Sequence, residues 1–117
     1  MANAPDRLQK AHLYEMLESA VRIREYMAGI SYDEFWDSAQ QRDAVAMRRS
    51  VMGEAARKID ASSERALPNI PFKKLRGMRN RITHDYDRVN FKVVWTITQT
   101  EIEPLIGALN AYFAEQA

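Results

Sequence analysis

Residues 91–113 read FKVVWTITQTEIEPLIGALNAYF. Phe91, Val94, Trp95, Thr98, Ile102, Leu105, Ile106, Leu109, Tyr112 and Phe113 recur there at three- and four-residue steps. That spacing gathers them on one side of a helix of 3.6 residues per turn. A strand would need strict alternation, and the stretch has none. A stripe of this width must be covered by other elements, so the chain is read as helices packed on helices. Pro104 lies inside the stripe and should kink or split the helix, because proline removes one backbone bond and clashes with the preceding turn. Asn90 or a neighbour is the expected cap at its start.

Working outward, the rest of the chain repeats the pattern. Leu13, Met16, Ala20, Ile23 and Met27 form a first stripe, with Pro5 in its opening turn and Gly29 at its end. Ser31 and Glu34 have capping-box spacing, which predicts a short helix through Phe35 and Trp36. Ser38 and Gln41 repeat that spacing and open a second long helix with Ala44, Val45, Val51, Met52, Ala55 and Ile59 inside. Arg48 falls on the same stripe, its stem packed and its head reaching for water. Glu54, at the edge, has Arg48, Lys58 or an arginine of the stretch 79–86 as possible partners. Residues 61–71, with Ser62, Ser63, Pro68, Asn69 and Pro71, read as the main loop. Pro71 then starts a third helix that buries Leu75, Met78 and Ile82. The expected fold is all-α: an antiparallel bundle of four long helices plus short ones, forming one domain over 1–117.

Composition narrows the function. The 117 residues include no cysteine, so neither a disulfide framework nor a thiolate metal site is available. That suits the cytoplasm. The first ten residues lack a signal-peptide apolar run, and no stretch approaches ~18 apolar residues, so no membrane span is expected. Net charge is +1, but it is unevenly spread. From Phe72 to Lys92 the chain carries Lys73, Lys74, Arg76, Arg79, Arg81, Arg88 and Lys92 against Asp85 and Asp87, a net +5 in 21 residues. Such a patch suits a polyanion. A solvated helix face is the plainer reading of the charge alone.

At the centre of the patch lies the octet Arg79-Asn80-Arg81-Ile82-Thr83-His84-Asp85-Tyr86. An arginine neutralises phosphate through a planar two-point fork. A histidine is the side chain best suited to moving a proton near neutral pH. Five positions along a helix advance by about 500°, a net rotation of about 140°, so Arg79 and His84 point to different sides of an ideal helix. Asn80 and His84, four apart, share a side. Either the helix deforms near its end or a second copy of the chain supplies the missing group. Tyr86, by its position alone, is a half-buried phenol, and His12 a surface residue. No other His, Asp or Glu group has ligand spacing, so no metal and no cofactor are expected.

The octet, as Arg-polar-x-x-x-His-x-Tyr, resembles the signature of the HEPN ribonucleases, in particular the HepT toxins. The likeness extends to Gly53-Glu54-Ala55, Ile70-Pro71-Phe72, Gly77-Met78 and Val94-Trp95-Thr96-Ile97. Thr83, Phe72 and Arg88 stand where an aliphatic residue, tryptophan and glycine are usual in that family. The resemblance implies a HEPN-like helical homodimer whose motif residues line a shared cleft. It implies a metal-independent endoribonuclease toxin of a type VII-like toxin–antitoxin pair. His84 would move the proton, Arg79 would stabilise the phosphorane, and Asn80 would orient His84 or a phosphate oxygen. Lys73, Lys74, Arg76 and Arg81 would hold the RNA. The product would end in a 2′,3′-cyclic phosphate. The partner would be a minimal nucleotidyltransferase antitoxin that silences the enzyme by AMPylation of Tyr86. Asp85 would tune His84 or support the helix end. The alternative is a non-catalytic substrate-binding or regulatory subunit of that nucleotidyltransferase, and a purely structural helical dimer is a third.

Overall fold

In the computed structural model, which describes residues 5–77 and 91–116, helix α1 (Arg7–Met27) opens on Asp6. The Asp6 carboxylate accepts the Gln9 N–H at 2.9 Å, satisfying one of the helix's orphan donors. Pro5 therefore lies just before the helix and not in its first turn. Leu13, Met16, Ala20, Ile23 and Met27 are all buried, as the stripe requires. Ala28 caps the helix, and Gly29 reverses the chain at φ +74°, a backbone region that costs glycine no Cβ clash.

Helix α2 (Tyr32–Asp37) carries the complete reciprocal box: Glu34 N–H donates to Ser31 Oγ at 3.1 Å, and Ser31 N–H donates to the Glu34 carboxylate at 2.7 Å. Its buried residue is Phe35. Helix α3 (Ala39–Arg57) is capped by Ser38, which accepts the Gln41 N–H at 3.0 Å. The Gln41 side chain does not close a second box. It donates instead to the Tyr26 carbonyl at the end of α1. At the other end of the pair, Gln9 donates to the Lys58 carbonyl at 3.1 Å and accepts the Asp60 N–H at 2.8 Å. The start of α1 thus meets the end of α3, and the two run antiparallel.

Two expectations on this part of the chain are corrected. Residues 61–71 are not one loop, since Ala61–Ala66 form helix α4. Asp60 caps it, accepting the Ser63 N–H at 2.8 Å, and that bond holds the Asp60 carboxyl below its ordinary pKa. Along α3 and just beyond it, Val45, Met52, Ala55 and Ile59 are buried as expected, but Ala44 and Val51 are only half-buried. Val45, Arg49, Met52 and Ala56 lie inside, at steps of four, three and four, and Arg48 is half-buried at the edge. Glu54 pairs with Arg57 at 3.2 Å.

Helix α5 is described over 72–77, with the Pro71 carbonyl accepting the Leu75 N–H at 3.1 Å. Met78 and Ile82 lie outside the described residues, as does the expected cap Asn90. The stretch 91–113 divides as Pro104 demands: α6 (Phe91–Thr100) ends, Glu101 turns at φ −108°, and α7 (Ile102–Glu115) begins. Pro104 then sits in the first turn of α7, where its missing N–H costs nothing. Arg24 near the end of α1 meets Glu103 at the start of α7 at 3.1 Å, and Tyr14 meets Phe113 edge-on at 6.1 Å. So α7 too runs antiparallel to α1, which lies between α3 and α7. One buried cluster takes side chains from α1, α2, α3, α5, α6 and α7, including Phe35, Met52, Phe72, Val94 and Leu109. Every element among the described residues is helical, and none of these helices is long and apolar enough to cross a membrane.

Candidate active site and nucleic-acid interface

Arg79, Asn80, Arg81, His84 and Tyr86 lie outside the described residues, and so does Arg88. The structure defines the two shoulders between which the octet is strung. On the N-terminal side, Phe72 and Leu75, three residues apart, are buried at 1% and 4% exposure and fasten α5 to the core. That anchoring turns Lys73 and Lys74 outward and leaves Arg76 half-buried.

These three basic residues, grouped together in the sequence, have different surroundings. Arg76 grips Glu64 of α4 with two bonds, Nη1 to Oε1 at 3.0 Å and Nη2 to Oε2 at 3.3 Å. Lys74 Nζ lies 3.1 Å from Glu101 Oε2 at the α6–α7 junction. Lys73 is exposed. Two of the cations assigned to the polyanion patch therefore also lock α5 to its neighbours, and their charges are shared with carboxylates. Their partners stand 12 and 27 residues away in sequence, too far for a local reading to find.

On the C-terminal side, Val94 is buried at 3% and fastens α6. Phe91 and Trp95 pack partly against the core. Phe35 of α2 faces both, with ring centroids 6.3 Å from Phe91 and 5.7 Å from Trp95. The basic stretch thus leaves one anchored helix and re-enters another. Each shoulder is held by apolar contacts.

Sequence reasoning passed over one residue whose environment is unusual. Arg49 is 3% exposed in the middle of α3, the sole buried cation among the described residues. Holding a guanidinium inside a bundle is costly unless it is paired, so its retention marks a polar demand in the core. Spacing alone could not find it: Val45, Arg49, Met52 and Ala56 have the same helical steps as Ala44, Arg48, Val51 and Ala55. On α7, burial pushes the Tyr112 phenol above its ordinary pKa. Among the described residues no three His, Asp or Glu side chains come together as a metal site.

With the geometry in place, the chain can be set beside known proteins. Residues 16–112 match the family described as Ribonuclease HepT-like. That span takes in the octet and both shoulders. A protein of Methanocaldococcus jannaschii named as a candidate RNase is 34% identical over 93 residues, covering 80% of this chain and 85% of that protein. A second from the same organism, named in the same way, is 37% identical over 98 residues, covering 84% and 81%. A "Probable ribonuclease HepT" of Thermococcus cleftensis is 28% identical over 101 residues, covering 86% and 92%. No solved structure matches the chain. The all-helical architecture, the octet and these alignments agree, and the chain belongs to the HepT-like ribonuclease family.

Proposed function

We propose that the chain is a metal-independent endoribonuclease toxin whose chemistry is carried by Arg79, Asn80 and His84. The observation that carries this reading is the family match over 16–112, which contains the whole octet and joins the chain to relatives named as ribonucleases.

RNA brings its own nucleophile. A base takes the proton of a 2′-hydroxyl, and that oxygen bonds to the adjacent phosphorus. The bond from phosphorus to the 5′-oxygen breaks, and an acid protonates the departing oxygen. The products are a 2′,3′-cyclic phosphate and a 5′-hydroxyl. His84 moves a proton, a role typically worth ~100- to 10,000-fold in rate. Arg79 neutralises charge that accumulates on the phosphorane oxygens. Asn80, on the His84 side of an ideal helix, orients the imidazole or a phosphate oxygen. The rotation of about 140° that an ideal helix would set between Arg79 and His84 supports a homodimer in which a second copy completes the cleft. Lys73 and Arg81 draw the strand in electrostatically, and Lys74 and Arg76 contribute while tethered to Glu101 and Glu64.

In the same reading a minimal nucleotidyltransferase is the antitoxin. It moves AMP from ATP onto the Tyr86 oxygen with release of pyrophosphate. The new phosphodiester sets negative charge and bulk beside Arg79 and so silences the enzyme.

The test uses an RNA with a single 2′-deoxy nucleotide at a mapped cleavage site. Cutting there stops, the other sites still yield cyclic phosphate ends, and His84→Ala cuts nowhere. Linear 3′-phosphate or 3′-hydroxyl ends from the first turnover would rule out the transesterification. A folded wild type that never cuts would move the chain to the non-catalytic subunit reading.

A further inference from the structure

Helices α2 and α6 build an aromatic surface beside the octet's C-terminal shoulder. Tyr32 and Trp36, four apart on α2, stack at 6.5 Å with 25° between their planes. Trp95 of α6 meets Tyr32 edge-on at 5.7 Å. Cations stand at both ends. The Arg42 guanidinium lies 5.3 Å from the Trp36 ring and 5.5 Å from the Phe91 ring, and also donates to the Trp36 carbonyl. The Lys92 ammonium lies 4.6 Å from the Tyr32 ring.

Below this layer Phe35 is fully buried and ties α2 to the core, so Trp36 is not needed there. Trp36 is 50% exposed. A large flat ring held by neighbours yet half in water offers aromatic area that the core does not use. Its rotamer is already fixed by Tyr32 and Arg42, so little entropy remains to be lost on binding.

We propose that the Trp36–Tyr32–Trp95 surface, flanked by Arg42 and Lys92, is a stacking platform for an unpaired nucleobase of the RNA strand. The proposal rests on the ribonuclease reading and names the form of RNA that its site accepts. Aromatic rings beside arginine and lysine are how proteins hold single strands: the rings take the base and the cations follow the phosphates. The surface continues the basic stretch 72–92, whose last residue is Lys92 itself. Phe91 follows Tyr86 by five residues, so chain length alone keeps that end of the surface within about 18 Å of the tyrosine. One bound strand reaches both. A copy–copy contact fits less well, because interface centres are depleted of lysine. Base-paired RNA is excluded from the platform, since the faces of its bases are already stacked.

The chain's two tryptophans, Trp36 and Trp95, both stand in this cluster, so intrinsic fluorescence reports on it directly. The experiment titrates the full-length His84→Ala protein, which leaves RNA intact, with a single-stranded RNA dodecamer and with its duplex. The single strand quenches the tryptophans and the duplex does not. Adding Trp36→Ala weakens binding of the labelled single strand by about tenfold, the scale of one lost base–aromatic stack. Trp36→Phe, which keeps an aromatic face, recovers most of the affinity.

If the single strand binds without quenching and Trp36→Ala binds it equally well, the platform is wrong while the ribonuclease reading stands. If Trp36→Ala converts a dimer to a monomer in sedimentation, the surface is an interface between copies and the proposal fails. If wild-type protein neither binds nor cuts RNA, both readings fall together.

Discussion

Arg76 and Glu64 meet fork to fork, at 3.0 and 3.3 Å, and join the helix that leads into the octet to α4. The side chains are 30% and 36% exposed, so water screens the pair. The expected coupling in a double-mutant cycle of Arg76→Ala and Glu64→Ala is about 0.5–1 kcal/mol, at the upper end for exposed pairs because the contact has two points. Arg76→Lys should lose most of it, since an ammonium cannot span both oxygens. Urea unfolding of the four proteins checks this. Coupling near zero would mean that the contact does not position α5.

Gln9 deserves a variant of its own because it ties two chain segments with opposite ends of one amide. It gives a proton to the Lys58 carbonyl and takes one from the Asp60 N–H, and it is 7% exposed. Gln9→Ala leaves two backbone groups at the α3 terminus unsatisfied and should cost about 1–3 kcal/mol. The urea midpoint should fall with its slope unchanged. Gln9→Glu should also destabilise, because a carboxylate cannot donate to the Lys58 carbonyl.

These contacts show what was legible in the sequence. The α1 stripe, the Gly29 reversal, the Ser31–Glu34 box and the break before Pro104 depend on residues within one or two turns of each other, and each could be read directly. Helix α4 was hidden because Ser62, Ser63, Pro68, Asn69 and Pro71 crowd together and look like loop, although Asp60 is a good cap. On α3 most of the expected residues are buried, but the inward arginine is Arg49 and not Arg48. Both stripes contain alanine and valine, and the packing of α1 against α3 decides between them. The octet was legible as residue types in a fixed order, and it falls inside the span 16–112 that matches the family. Glu64 and Glu101, which share the charges of Arg76 and Lys74, were not, because tertiary structure brings them there.

Tyr112 gives a stability prediction with a sign. Its hydroxyl is buried without a hydrogen-bond partner among the described residues, and burial raises its pKa above the ordinary value near 10. Folding therefore favours the neutral phenol. The stability tied to that form is complete below the unfolded pKa and is lost as pH rises through it toward the folded value. At pH 7, Tyr112→Phe should be neutral or stabilising by up to about 1 kcal/mol, since it removes an unsatisfied buried group. Above about pH 10 wild type should lose stability more steeply than the variant. Parallel pH curves in urea melts would contradict the assignment.

The silencing step predicts a separable variant. In the proposed function Tyr86 carries the oxygen that would accept AMP, and Tyr86→Phe removes it while keeping Arg79, Asn80 and His84. The variant should cut RNA at a rate close to wild type, gain no mass of AMP when incubated with the nucleotidyltransferase and ATP, and escape inhibition. Loss of cutting in a folded Tyr86→Phe protein would instead place the tyrosine in the cleavage chemistry.

The most direct test of the central claim is cleavage of total RNA by purified protein in excess EDTA, with mass spectrometry first showing Tyr86 unmodified, beside His84→Ala. Wild type should cut at an undiminished rate, and the His84→Ala protein, folded by its helical spectrum, should not. Cleavage that EDTA abolishes, or that survives the loss of His84, would contradict the claim.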